Sequence, residues 1–263
     1  MNLLYWNIRN NKIENFIADI IIENKIDVFI VSEFNKLDFG EILNLLNNDY
    51  QLQESFLCEK VKIIHKKDIQ LTLLRAQHRY IISKLNINNE EILLTSLHLP
   101  SNPNNTSDDR KHEIRKIVAD IVEEEKNIYK QKMQKTIVIG DMNASPFDSE
   151  LVNKDSFNAV LFKKIIDKRS STTYQKEPYE RFYNPMLDCI NEEKESYGTF
   201  YYNSGIGPLY WYCYDQVLVR KALMNKLKTV QFIKTIKNTK LIKEMMPNKD
   251  ISDHLPLLVK IDF

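Results

Sequence analysis

Apolar residues in this chain fall into short blocks, and the spacing within each block sets the element it predicts. Leu3-Leu4-Tyr5-Trp6 is an unbroken apolar run of strand length almost at the first residue. Ile13, Phe16, Ile17, Ile20 and Ile21 then recur three and four apart, with Glu14, Asp19 and Glu23 on the opposite side, which is the period of an amphipathic helix. Asp27 to Val31 reads as a second buried strand ending in Ser32-Glu33, and Asp38 to Leu46 as a second helix carrying Ile42, Leu45 and Leu46 on one face. From Val61 the period changes to two. Val61 and Ile63, Leu71 and Leu73, Tyr80 and Ile82, and Ile92 and Leu94 predict an antiparallel meander with turns at Lys66-Lys67-Asp68 and Asn86 to Asn89. Asp108 to Lys130 predicts a long helix striped by Ile114, Ile117, Val118, Ile121 and Val122. Thr136 to Ile139 is a further buried strand, residues 145 to 210 read as irregular, and Tyr214 to Val219 and Leu255 to Ile261 close the chain as strands.

Strands outnumber helices, and neither an internal repeat nor a shift in composition divides the chain. Residues 1–263 are therefore expected to form a single α+β domain, with two packed sheets and helices outside them. Hydrophobic residues at 43% and charged residues at 28% exclude a disordered chain. Lys plus Arg number 37 against 36 Asp plus Glu, which excludes a globally basic nucleic-acid coat but leaves room for a local basic face. Cys58, Cys189 and Cys213 are too few and too far apart for a disulfide framework or a zinc cluster, and they read as reduced thiols. No basic stretch leads into an apolar one at the N-terminus, and runs such as Val28 to Val31 are too short to span a bilayer. A cytoplasmic protein with no membrane association is the expectation, and no feature names a protein partner.

The polar residues that end the strands carry the chemistry. The first strand runs into Trp6-Asn7-Ile8-Arg9, the second into Ser32-Glu33, a middle one into Ser96-Leu97-His98, and the strand at 136 into Gly140-Asp141-Met142-Asn143. Another opens with Tyr214-Asp215-Gln216, and the last is preceded by Ser252-Asp253-His254. Strand ends can converge on one edge of a sheet, where a rigid scaffold presents function.

In this order, Asn7, Glu33, His98, Asp141-x-Asn143, Asp215 and Ser252-Asp253-His254 resemble the endonuclease/exonuclease/phosphatase superfamily over residues 3 to 260. Trp6-Asn7-Ile8-Arg9 and Ser96-Leu97-His98-Leu99-Pro100-Ser101 look most like the pancreatic-type deoxyribonucleases. Ile139 to Pro146 resembles the broader superfamily. The resemblance implies a four-layer α/β/β/α sandwich of two mostly antiparallel sheets, and Mg²⁺-dependent hydrolysis of a phosphate ester, with Mn²⁺ as a substitute ion. It implies Glu33 as the metal ligand, with Asn7 assisting through its carbonyl oxygen and Asp253 directly or through water. Asp141 would orient the attacking water and Asn143 would hold the phosphoryl oxygen or a metal-bound water, although Gly, Asp and Asn also suit a simple turn after a strand. Asp215 would fix His254 as an imidazolium that, together with Asn7, binds the phosphate. His98 would supply a second imidazole near the leaving oxygen. The family pairs that histidine with a glutamate, and Glu59 is a partner by spacing alone. Arg9 and Arg79 could contact substrate phosphates or form structural salt bridges.

Several substrates fit such a site. Cys213-Tyr214-Asp215-Gln216 places Gln where inositol phosphatases carry Arg, which weakens that reading. The stretch from Arg220 to Lys249 holds nine basic residues and only Glu244 as an acid, and it could track a phosphate backbone or form a solvated face. Tyr197, Phe200, Tyr201, Tyr202, Tyr210, Trp211 and Tyr212 could stack on bases, wall a pocket or simply pack. The expectation is a nuclease. A phosphomonoesterase on a small or lipid phosphate, and a catalytically silent relative that binds nucleic acid or protein, are the alternatives.

Overall fold

A computed structural model describes residues 1–101, 106–130, 132–192, 197–203 and 210–263. Two large sheets form its centre. The six-stranded sheet runs in the order Leu227–Phe232, Leu257–Ile261, β1 (Asn2–Asn7), β2 (Val28–Ser32), β4 (Val61–Lys66) and β3 (Tyr50–Leu52). The seven-stranded sheet runs in the order β5 (Gln70–Gln77), β6 (Tyr80–Ile87), β7 (Glu90–His98), β8 (Thr136–Asp141), Asp215–Arg220, Phe182–Tyr183 and Ala159–Val160. Most neighbours are antiparallel. The parallel pairs are β1 with β2, β7 with β8, and the two short strands at the far edge.

The sequence periods explain the layers. Every residue of β2 and β8 is buried, because both faces of each strand are covered. Ile81, Leu85, Ile92, Leu94, Ile137, Ile139, Val217 and Val219 face the other sheet across the main core. Their alternating neighbours Ile82, Leu93, Leu97, Val138 and Leu218 pack on Ile114, Ile117 and Ile121 of helix α3 (Ser107–Tyr129). Helices α1 (Glu14–Glu23) and α2 (Phe39–Leu45) pack on one another and join the six-stranded sheet's core through Ile17, Ile20, Ile21 and Ile42. The result is the α/β/β/α sandwich. Caps set the helix limits: Asp38 accepts from the backbone N–H of Glu41, and Thr106 forms a reciprocal capping box with Asp109.

Topology then gathers the strand ends. Because β1 and β2 are parallel, Asn7 and Glu33 leave their strands side by side, and the parallel pair β7 and β8 places His98 opposite Asp141. The antiparallel partners begin at the same edge, so Asp215 lies opposite Asp141, and His254 just precedes the strand beside β1. Gly140 makes that approach possible. A Cβ built there would lie 1.9 Å from the backbone oxygen of Leu97 and 2.8 Å from its carbonyl carbon. Gly140→Ala should therefore force β7 and β8 apart beneath His98 and Asp141, lowering stability by about 3 kcal/mol, the upper end for an overpacked site. Thermal unfolding tests this, and an unchanged midpoint would contradict the close approach.

Residues 145 to 210 are more regular than their composition suggests. They hold short helices at Ser149–Val152 and Lys163–Lys168, the hairpin Ser171–Tyr174 with Glu177–Glu180, and the two edge strands of the larger sheet. Residues 193–196 and 204–209 of that stretch lie outside the described residues. The basic stretch from Arg220 is not a continuous track. Arg220 is buried, binds both carboxylate oxygens of Glu125 at 2.8 and 3.0 Å, and lies 3.8 Å over the ring of Phe182. Lys226, Lys228 and Lys237 pair with Glu90, Asp262 and Asp19. Part of its charge is thus used within the fold. No helix among the described residues is long and apolar enough to cross a membrane.

Candidate active site

Asn7, Glu33, His98, Asp141, Asp215 and His254 share the sheet edge. Asn7 is the hub: its amide nitrogen lies 3.1 Å from Glu33 Oε1 and 3.1 Å from Asp141 Oδ2. His98 Nε2 faces the same two carboxylates, 3.8 Å from Glu33 Oε1 and 3.7 Å from Asp141 Oδ2. On the other side, His254 Nδ1 lies 2.8 Å from Asp215 Oδ2, and one ligand-capable atom each of Asp141, Asp215 and His254 lies within 4.8 Å of the others. Arg9, Glu33 and Asn143 all have positive φ (53°, 53° and 46°), a backbone region that side chains with a Cβ rarely adopt and that clusters at functional sites.

The supporting bonds explain how this arrangement is held. The Asn143 N–H donates to Asp141 Oδ1 at 2.8 Å, and the Asn143 side chain donates to the carbonyl of Leu99. Ser252 Oγ donates to the carbonyl of Asn7 and accepts from the N–H of His254, while the Trp6 indole donates to the carbonyl of His254. Thr199 Oγ1 accepts from the N–H of Asp215, and the Leu255 N–H donates to the carbonyl of Thr199. Gln216, buried where the inositol phosphatases carry Arg, ties down the carbonyls of Ala144 and Cys213. Trp6 and Ser252 stood within the sequence motifs without an assigned role. Thr199 had no signal, because its bonds depend on a turn that returns to the site from far along the chain.

Electrostatics separate the titratable groups. Burial first, and then the charge of Asp215, pushes Asp141 up to about 6, against the pull of His254, Asn143 and Asn7. Burial pulls His98 down to about 4, with Glu33 opposing it, so the ring is neutral at physiological pH. His254 is the opposite case. Burial lowers it, but Asp215, its hydrogen bond, Asp141 and Asp253 together push it up to about 10, so it is an imidazolium.

The geometry bears on four sequence expectations. Glu59 is not the partner of His98: it is exposed, its Oε2 lies 3.5 Å from His78 Nδ1, and its N–H donates to the carbonyl of His78, so it turns away from the site. The Asn7 carbonyl oxygen, expected to ligate metal, accepts the N–H of Arg9. The two carboxylates are acceptors and draw the NH₂ end of the amide instead. Arg9, for which a phosphate contact and a salt bridge were both open, pairs with Asp253, expected on the metal, with Nε 3.4 Å from Oδ2. Arg79 is half-buried and clasps the backbone of His98: its carbonyl accepts the His98 N–H, and its guanidinium donates to the His98 carbonyl at 3.4 Å. The aromatic cluster reaches the site through Phe200. Its ring centroid lies 4.8 Å from that of His254 and 5.5 Å from that of Tyr214, with the half-exposed Tyr202 stacked beyond.

A scan of protein-family models and a search of curated proteins find no match. Solved structures do match along the whole chain. TDP2 from D. rerio, complexed with a single-strand DNA product, aligns over 100% of this chain and 99% of that one, at 14% identity and a TM-score of 0.62. An endonuclease/exonuclease/phosphatase family protein from Leptotrichia buccalis aligns over 100% of both chains at 17% identity and a TM-score of 0.58. The mannosyl-6-phosphatase Bt3783 of Bacteroides thetaiotaomicron does so at 13% identity and a TM-score of 0.58. The two-sheet topology and these full-length likenesses together show that the chain has the fold of the endonuclease/exonuclease/phosphatase superfamily.

Proposed function

We propose that the chain is a divalent-metal-dependent phosphoric ester hydrolase, and specifically a nuclease. One observation carries the reading: a buried Asp215–His254 pair shares its sheet edge with Asp141, whose carboxylate is itself buried and bracketed by Asn7 and His98. A purely structural site gains nothing from two buried acids and two buried imidazoles. Removing these groups from water is costly, and such a cluster with strongly shifted pKa values marks a functional site.

The donor set fits a hard cation. Glu33 Oε1 and Asp141 Oδ2 flank a single nitrogen at 3.1 Å each, and the Glu33 side chain is 34% exposed, so the carboxylates meet where solvent can enter. Glu33 would hold Mg²⁺ or Mn²⁺ with Asp141 alongside, and the bound ion would neutralise the non-bridging phosphate oxygens. The protein's own groups do the remainder. Asp141 Oδ2 holds the attacking water in line, with the Asn143 N–H and the Asn7 amide fixing the carboxylate. His254, charged and backed by Asp215, meets the oxygen that gains charge in the transition state. His98 presents a neutral ring to the reacting centre through Nε2.

The aromatic wall favours a nucleic acid over a small phosphate. Phe200, Tyr214 and Tyr202 continue outward from His254, giving an apolar face beside the phosphate position on which a sugar or base can lie. The mannosyl-6-phosphatase among the similar structures shows that this fold also serves phosphomonoesters. The buried Cys58, Cys189 and Cys213, none in a disulfide, suit a reducing, cytoplasmic setting. Incubation with supercoiled plasmid, single-stranded DNA and RNA, with Mg²⁺ and with EDTA, tests the reading. Cutting with Mg²⁺ and none with EDTA is expected. Phosphate release from small esters without any cutting would move the substrate to a phosphomonoester, and no turnover of either kind would defeat the hydrolase reading.

A further inference from the structure

The Asp215–His254 pair spans the two large sheets. Asp215 opens a strand of the seven-stranded sheet, and His254 precedes the strand Leu257–Ile261 of the six-stranded one. Each partner is also anchored on its own side. Asp215 lies opposite Asp141, and the Met142 N–H donates to the carbonyl of Tyr214. His254 is tied to β1 by the Trp6 indole and, through Ser252 Oγ, by the carbonyl of Asn7. None of these bonds crosses from one sheet to the other, yet Nδ1 and Oδ2 meet at 2.8 Å. Stacked sheets lie about 10 Å apart and are held by apolar contact, which has no direction. A hydrogen bond needs its atoms placed within about 0.5 Å.

Thr199 bonds to the main chain on both sides of the pair. It lies just before the short strand Phe200–Tyr201, outside both large sheets, and it is fully buried. Toward the seven-stranded sheet, its Oγ1 accepts the N–H of Asp215 at 3.1 Å and that of Tyr214 at 3.2 Å. The hydroxyl donates to the carbonyl of Tyr212 at 3.5 Å, and the Thr199 N–H donates to the same carbonyl at 2.9 Å. Toward the six-stranded sheet, the Thr199 carbonyl accepts the N–H of Leu255 at 2.8 Å. The next residue, Phe200, forms a backbone bridge with His254 itself.

The residue type fits the task. A hydroxyl has one proton and two lone pairs, and here all three are used. Every bond goes to main chain, so the side chain acts on the backbones that carry Asp215 and His254. The residue before it permits the approach, because a Cβ at Gly198 would lie 2.6 Å from the backbone oxygen of Tyr212.

We propose that Thr199 is a positioning residue whose hydroxyl and carbonyl clamp the two sheets together at the Asp215–His254 pair and hold the two side chains at hydrogen-bond distance. The catalytic consequence rests on the hydrolase reading above, whereas the clamp does not.

Thr199→Val keeps the shape of the side chain and removes all three bonds of the hydroxyl, and Thr199→Ser keeps them. The imidazole proton held between His254 and Asp215 should give a proton NMR signal far downfield of the amides, which His254→Gln assigns by removing it. The signal is expected in the wild-type chain and in Thr199→Ser, and it should be lost to exchange in folded Thr199→Val, whether or not the protein hydrolyses anything. If the valine variant does not fold, Thr199→Cys gives the same comparison, because a thiol is only a weak acceptor. A signal unchanged in the folded valine or cysteine variant, or lost in the serine variant as well, would overturn the clamp. In turnover, Thr199→Val should lower kcat about 10²-fold with little change in KM, the scale of a small misplacement transmitted to the reacting groups, and Thr199→Ser should stay near wild type. In an Asp215→Asn background the valine change should cost little more, because the pair it holds is already broken. An equal loss in both backgrounds would show that Thr199 acts on something else.

Discussion

Asp141→Asn is expected to lower turnover by about 10³-fold, within the range for losing a positioned acid–base group, while the protein remains folded. The substitution keeps the size of the side chain and one oxygen, so the bond from the Asn143 N–H at Oδ1 survives. What it removes is the anion. At Oδ2, where Asn7 donates at 3.1 Å, an amide nitrogen would meet that donor with another donor. The water that the carboxylate orients loses its acceptor at the same point. Stability should respond differently from activity. In the folded chain Asp141 is raised to about 6, whereas an unfolded aspartate ionises near 3.8, so the folded state loses stability as pH rises from the lower value to the higher. Above pH 6 the buried carboxylate is a standing cost that the neutral amide does not carry. The melting midpoint at pH 7 should therefore not fall, even with the donor conflict at Asn7. Steady-state kinetics beside thermal unfolding distinguishes the cases, and full activity in a folded Asp141→Asn protein would remove Asp141 from the mechanism. Such a split between stability and activity is the mark of a residue kept for chemistry.

The parts of this site that the sequence made legible share one property: each sits where a strongly apolar strand stops. Asn7, Glu33, His98 and Asp141 close β1, β2, β7 and β8, and those strands read clearly because both of their faces are buried. Side-chain direction just outside a strand carries no such signal. Glu59 stands two residues before β4, at the right spacing to serve His98, but the turn of residues 55–60 aims it at His78. The strand Leu227–Phe232 was missed for a related reason. It is an edge strand carrying Lys228, Thr229 and Gln231, with only Phe232 buried, and its pattern has no clean period. Strands of two residues, such as Phe182–Tyr183, are too short to show any period. The burial of Gln53, Ser55 and Ser96 has no such signal either, because they look like surface residues to a hydropathy pattern and only the packing of two sheets covers them.

Asp215→Asn tests the other half of the site, and its effect should be as large, about 10³–10⁴-fold in turnover, the scale seen when an aspartate that orients a catalytic histidine becomes an amide. Asp215 hydrogen-bonds His254, and its charge also raises Asp141, so the substitution acts chiefly through the imidazole and eases the proton off Asp141. In the wild-type chain the folded-state value of His254 is raised to about 10, above the 6.5 of an unfolded histidine. The pair therefore stabilises the fold fully below pH 6.5, and that contribution fades as pH rises through about 10. The imidazolium persists across the neutral range, and wild-type turnover should show no alkaline loss from this group until pH approaches 10. Without the carboxylate, burial, the strongest influence on His254, is left opposed only by Asp141 and Asp253. The alkaline limb of the kcat/KM profile should then shift toward neutral pH, and the residual activity of Asp215→Asn should rise as the solution is made more acidic, down to the point where Asp141 begins to take up a proton, which without the charge of Asp215 lies below its wild-type value of about 6. Activity confined to a narrow window in the variant and broad in the parent would locate the imidazolium as the group that meets the phosphate. An alkaline limb left in place would show that His254 acts without its charge.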